Sequence, residues 1–124
     1  MAVSACRRHT VLVIEDEPVM RMMASDLVED AGFEAVEAVS ADDAVRLLES
    51  RPDIGLVFSD IDLGIGEDGL ALAREIRKRW PPMAIIMTSG KVQPGPGEMP
   101  ERGRFFEKPY RREEVVTALR ELAA

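Results

Sequence analysis

The sequence predicts an α/β fold, one parallel sheet with helices on both faces. Three observations predict it. Short apolar runs alternate with amphipathic helical segments along the chain. The runs at Val11–Glu15, Ile54–Asp60 and Met83–Ser89 are apolar without a break until their polar ends, as in strands buried on both faces. Those ends carry acids or hydroxyls, so polar groups collect at one edge of the predicted sheet.

Val11–Glu15 (VLVIE) is short and β-branched, hence a strand. In Pro18–Asp30, Val19, Met20, Met23, Leu27 and Ala31 recur at helical spacing. Pro18 suits a first turn and Gly32 a stop. The methionines here, Met22 included, are expected to fill core gaps. Phe33–Val39 partly alternates and reads as a second strand. Ser40 then caps a helix, with Asp43 three residues on and Ala44, Val45, Leu47 and Leu48 as its apolar face; Pro52 ends it. Ile54–Asp60 is the third strand and Asp68–Trp80 the third helix. Met83–Ser89 is a fourth strand, Arg104–Glu107 a short fifth, and Glu113–Leu122 a last amphipathic helix. Between the last two strands, KVQPGPGEMPERG holds three prolines and three glycines in thirteen residues. Proline removes a helical donor and clashes with the preceding turn, so a loop is expected, with at most one helical turn near Glu98–Arg102.

At 124 residues the chain is expected to be a single domain, 1–124, with a polar leader at 1–9. A net charge of −7 argues against nucleic-acid binding, which needs a basic face; Arg74–Arg79 and Arg111–Arg112 read as solvated helix surface. No apolar run reaches membrane-spanning length, and the basic start has no apolar h-region before the first strand and so is no secretory signal; a cytoplasmic protein without membrane contact is expected. Lone Cys6 excludes an internal disulfide, and neither it nor His9, the only histidine, is assigned a role.

In a doubly wound sheet, ligands bind outside the carboxyl ends of the strands. There the first strand delivers Glu15, Asp16 and Glu17, and the third Asp60 and Asp62. The fourth delivers Thr88, Ser89 and Gly90, and the fifth Glu107, Lys108 and Pro109. Clustered carboxylates repel, and hard oxygen ligands suit Mg²⁺ completed by a phosphate. Lys108 supplies a compensating charge and Ser89 a donor to a phosphoryl group.

VLVIEDE, VFSDIDL, IIMTSG and FFEKPY stand in an order and at a spacing that resemble the signature blocks of response-regulator receiver domains of two-component signalling, over nearly the full chain. The resemblance implies a flavodoxin-like five-stranded sheet in the order 2-1-3-4-5, its fourth helix missing or irregular here. It implies Asp60 as phosphoryl acceptor and Glu15 and Asp16 as the acidic pair. Mg²⁺ would be held by Asp16, Asp60 and the main-chain carbonyl of Asp62, with Glu15 reaching it through water. Ser89 takes the switch hydroxyl position, Lys108 the family's lysine, and Pro109 a cis peptide. Phe105 falls at the aromatic switch position, where a core role is equally open; Phe106 reads as core. Asp62 and Lys91 occupy positions that modulate phosphoryl lifetime. The implied partners are a sensor histidine kinase or phosphotransfer protein, on whose helix exposed methionines of the first helix could pack, and a downstream protein target. The chain is expected to act alone, as a monomer or weak dimer, a signalling module rather than an enzyme.

Glu15 departs from the commoner Asp and Gly64 from a proline. The loop to Asp68-Gly69 is one residue longer than usual. Two rival motifs were weighed. Gly64, Gly66 and Gly69 spell G-x-G-x-x-G, but carboxylates sit where a pyrophosphate would lie and no acid closes the next strand. Asp60-x-Asp62 with Ser89 and Lys108 also imitates haloacid-dehalogenase-like phosphatases, whose second Asp lets water clear the aspartyl phosphate. There the Asp-x-Asp strand comes first, whereas here Glu15-Asp16 precedes it and no cap region exists.

Overall fold

The computed structural model describes residues 10–63, 68–90, 94, 95, 97, 99 and 102–123. Its strands are β1 (Thr10–Ile14), β2 (Glu34–Ala38), β3 (Ile54–Asp60), β4 (Ala84–Ser89) and β5 (Gly103–Glu107). Its helices are α1 (Pro18–Asp30), α2 (Ala41–Ser50), α3 (Gly69–Arg79) and α4 (Arg112–Ala123). All strand pairs are parallel, in the order β2-β1-β3-β4-β5, as expected.

Central strands need apolar side chains on both faces, and the alternation supplies them. Leu12 and Ile14 of β1 join Val57, Ile85 and Met87 under α2 and α3. Val11 and Val13 join Leu56, Phe58, Ala84 and Ile86 under α1 and α4. The outer strands β2 and β5 are only partly buried, which their mixed sequences allow. Each of the first three helices starts on a carboxylate or hydroxyl cap. Glu17 accepts from Met20 N at 2.9 Å, Ser40 from Asp43 N at 3.1 Å, and Asp68 from Leu70 N at 2.9 Å. Asp43 reaches back to Val39 N at 3.1 Å, one residue before the cap. Asp68 and Trp80, expected inside the third helix, are its caps.

One expectation is corrected. Val19, Met20 and Met23 were placed on the buried face of α1 and Met22 in the core, yet they are 56%, 37%, 57% and 56% exposed. The buried positions are Ser25, Leu27 and Val28, followed by Ala31, and packing on the core layer begins at Ala24. The helical stripe is real, but among the described residues its first turns lie largely exposed.

Among the described residues between β4 and β5 (Gly90, Pro94, Gly95, Gly97, Met99 and Arg102) none is helical. Gly97 has φ +80° and Arg102 φ +57°, left-handed conformations that break a helix. Met99 packs against the α2/α3 core cluster. Of the helical turn expected near Glu98–Arg102, Met99 and Arg102 are described and are not helical; 98, 100 and 101, like 92, 93 and 96, fall outside the described residues. The Lys108–Pro109 peptide is cis, as expected.

Gly69 is needed for a steric reason. A Cβ there would lie 2.5 Å from the main-chain oxygen of Asp60 and 2.7 Å from the Cα of Ile61. Its N–H donates to Ile61 O at 2.8 Å, and an Asp62–Asp68 bridge closes the same approach. Gly69→Ala should therefore push α3 off β3 and cost about 3 kcal/mol, the upper end for overpacking, because the obstacle is backbone. Urea denaturation measures this, and a loss below about 0.5 kcal/mol would contradict the packing.

Candidate functional site

The site is laid out by the sheet ladder, which runs on past the strand ends. Glu15 N donates to Ala38 O (3.1 Å), Ile61 N to Thr88 O (2.8 Å) and Lys108 N to Ser89 O (2.9 Å). These bonds fix the backbone beside β1, β3 and β5, so Glu15, Asp60 and Lys108 converge at one edge.

Asp60 is 8% exposed. Its Oδ2 accepts from Lys108 Nζ at 2.9 Å and its Oδ1 from the main-chain N–H of Asp62 at 3.1 Å. Both oxygens of this buried carboxylate are thus held. Burial pulls the Lys108 ammonium down, but the hydrogen bond from Asp60 and the charges of Asp60 and Glu15 outweigh it and leave its pKa raised. Glu15 is 7% exposed and accepts from Glu17 N at 3.3 Å. Burial, aided by the charge of Asp60, pushes its carboxyl up to about 7 against the pull of Glu17 N–H and Lys108. Asp16 is exposed. Ser89, fully buried at the end of β4, donates to Asp62 Oδ2 at 3.3 Å. Thr88 is also buried and lines a small cavity with Glu15, Asp60, Lys108 and Tyr110. Burial raises the Tyr110 phenol, whose ring meets Phe58 edge-on with centroids 6.4 Å apart.

Phe105 is half-buried against the α2/α3 cluster and Phe106 against the α1/α4 cluster. Lys91, Gly64, Gly66, Cys6 and His9 lie outside the described residues. The sequence reading passed over Tyr110, and over Arg21, whose guanidinium donates to the carbonyls of Glu15 (3.1 Å) and Asp16 (3.4 Å). The only hint of Arg21 was its place one helical turn after Glu17.

The donors at this edge are hard oxygens. Among the described residues no three His, Cys, Asp or Glu side chains form a ready-made metal group. What this edge offers a cation is carboxylate oxygen, from Glu15, Asp60 and Asp62, the donor type Mg²⁺ favours. The residues fit that ion.

The sequence profile of the response regulator receiver domain matches residues 11–120. The chain belongs to this family, the receiver domains of two-component signalling. It is 32% identical over 113 residues to the nitrogen assimilation regulatory protein NtrX of Azorhizobium caulinodans, covering 87% of this chain and 24% of that protein. It is 29% identical over 125 residues to the two-component response regulator PprB of Pseudomonas aeruginosa, covering 97% of this chain and 38% of that protein. The crystal structure of a response regulator receiver protein from Sinorhizobium medicae superposes with a TM-score of 0.85 at 27% identity, over 94% of both chains. The chain thus spans well under half of these two curated relatives. The phosphatase alternative finds no support here.

In metal-free protein the Glu15 carboxyl should titrate near 7, and Asp60→Asn should lower its midpoint. The variant removes one charge that raises Glu15 and frees Lys108 from its present partner. Side-chain NMR reads the titration; a midpoint that stays put in the variant, or sits near 4.5 in the wild type, contradicts the coupling.

Proposed function

We propose that Asp60 accepts a phosphoryl group from the phosphohistidine of a sensor histidine kinase or phosphotransfer protein, and that the phosphorylated chain signals by protein–protein contact. The observation that carries this reading is the Asp60 carboxylate, buried and held through both oxygens by Lys108 and the Asp62 N–H. A carboxylate fixed in this way is oriented for in-line attack. Lys108 stands where it can follow the charge from Asp60 to the phosphoryl oxygens. When bound by Asp16, Asp60 and the main-chain carbonyl of Asp62, with Glu15 acting through water, Mg²⁺ would neutralise the phosphoryl oxygens. Ser89 exchanges Asp62 for a phosphoryl oxygen, and Phe105 follows it as the aromatic partner of the switch. The exposed Val19, Met22 and Met23 of α1 offer a helix of the phosphodonor an apolar landing surface. The remainder of the reading is a stand-alone, cytoplasmic single domain over 1–124, monomeric or weakly dimeric, with no nucleic-acid role.

Asp60→Asn should abolish acid-stable, base-labile labelling by a cognate kinase, because an amide does not accept the phosphoryl group. Full labelling of that variant would sink the assignment. Phosphotransfer profiling against purified histidine kinases would identify the donor.

Asp62 places a carboxylate beside Ser89, two residues from the acceptor, where it can orient the hydrolytic water or repel it. Asp62→Ala should change the phosphoryl half-life several-fold in either direction; about 1.4 kcal/mol in the barrier is a factor of ten. Lys91→Ala belongs to the same experiment. Equal half-lives for the wild type and both variants would remove these side chains from the hydrolytic path.

A further inference from the structure

The chain leaves the sheet at Ile14, the last residue of β1, and within three residues has entered α1. The turn between them carries Glu15 and Asp16, so its shape decides where two of the site's carboxylates stand. Among the described residues, the ladder holds it through Glu15 N alone. We propose that Arg21 is a positioning residue that ties this acidic turn to α1 and β2, and so sets the geometry in which Asp16 and Glu15 meet a cation. The cation part rests on the function proposed above; the tie itself does not.

Arg21 NH1 donates to the carbonyl oxygens of Glu15 at 3.1 Å and Asp16 at 3.4 Å. Its Nε lies 3.5 Å from Glu37 Oε1 on β2. Glu37 is held in turn, its Oε2 accepting from the buried Ser25 Oγ at 2.6 Å. Ser25 follows Arg21 by one helical turn, so α1 supplies both ends of a relay that runs through β2 to the acidic turn. The guanidinium is suited to this because its fixed fork serves several acceptors in different directions, which a single ammonium does not. Its side chain is also 19% exposed, against 76% for Arg46, which pairs with Asp43, and 48% for Arg112, which pairs with Asp30. An arginine that merely solvates a helix has no reason to lie down on two carbonyls.

The test uses the whole chain in two states. In metal-free protein, hydrogen exchange of the Glu17 amide, which donates to Glu15 Oε2, reads the turn directly. Arg21→Ala should speed it at least ten-fold while Leu27 and Val28 of α1 exchange at wild-type rates. Arg21→Lys should recover little of this, and Glu37→Gln, which keeps an acceptor but not the charge, should speed it two- to three-fold. Titration with Mg²⁺ alone, followed by backbone amide shifts at residues 15–17, should show affinity at least five-fold weaker in Arg21→Ala at an almost unchanged melting temperature. Glu17 exchange within two-fold of wild type in Arg21→Ala overturns the proposal, as does an equal acceleration across β1 and α1. If that variant does not fold, Glu37→Gln decides by the same reading. A wild type that gives no Mg²⁺ response would overturn the cation part of the function and leave the exchange data to judge the tie.

Discussion

The constraint on which the rest depends is a carboxylate at 8% exposure that must keep its charge. A buried charge is tolerated only when it is paired and hydrogen-bonded. Asp60 ends β3, and its cation, Lys108, follows β5, with β4 between them. The pair therefore forms only if three strands are parallel, in register and cut to matching lengths. The bonds Ile61 N to Thr88 O and Lys108 N to Ser89 O carry the ladder one residue past the strand ends and secure that match. Topology and chemistry are one requirement here.

The helices answer to the same edge. Gly69 brings the start of α3 within reach of the Asp60 carbonyl, a distance no side chain permits. Asp68 caps that helix and bridges to Asp62, so the segment following Asp60 is held at both of its described ends. Asp62 in turn gives its N–H to Asp60 and accepts from Ser89. Asp60, Asp62, Ser89 and Lys108, drawn from three strand ends, are thus joined in one network, and moving one displaces others.

Much of this was legible in the sequence. Continuous apolar runs at Val11–Ile14 and Ala84–Met87 could only be buried strands, and polar residues at their ends had to meet at one edge. Glu15, Asp60, Ser89 and Lys108 were found in this way. The rest depended on distances that a one-dimensional pattern does not carry. Helical spacing identified the stripe through Val19 and Met23 but not how far the core reaches beneath it, so exposed residues were read as buried. Gly69 shows in the sequence only as one glycine of the rejected G-x-G-x-x-G, because the atoms it makes room for lie at the end of β3 and just beyond it. Arg21 gives no sign of its role in the sequence, because two of its acceptors are backbone oxygens, which no sequence displays.

Charge sets the last condition. Glu15, Asp16, Asp60 and Asp62 gather at one edge, and Lys108 is already committed to Asp60. Like charges gathered in a partly screened site repel, and the Glu15 carboxyl, raised chiefly by burial, is pushed further up by the charge of Asp60. An incoming phosphoryl group would add to this repulsion, and one lysine is not enough to offset both. More lysines would pair with the carboxylates and close the site, whereas a hard divalent ion uses those same carboxylates as ligands. The surplus of acids over bases at the strand ends is thus a reason to expect a cation as part of the working site. It also explains why the carboxylate that would act as nucleophile is the one held by lysine and main-chain N–H, while Asp16 is left exposed.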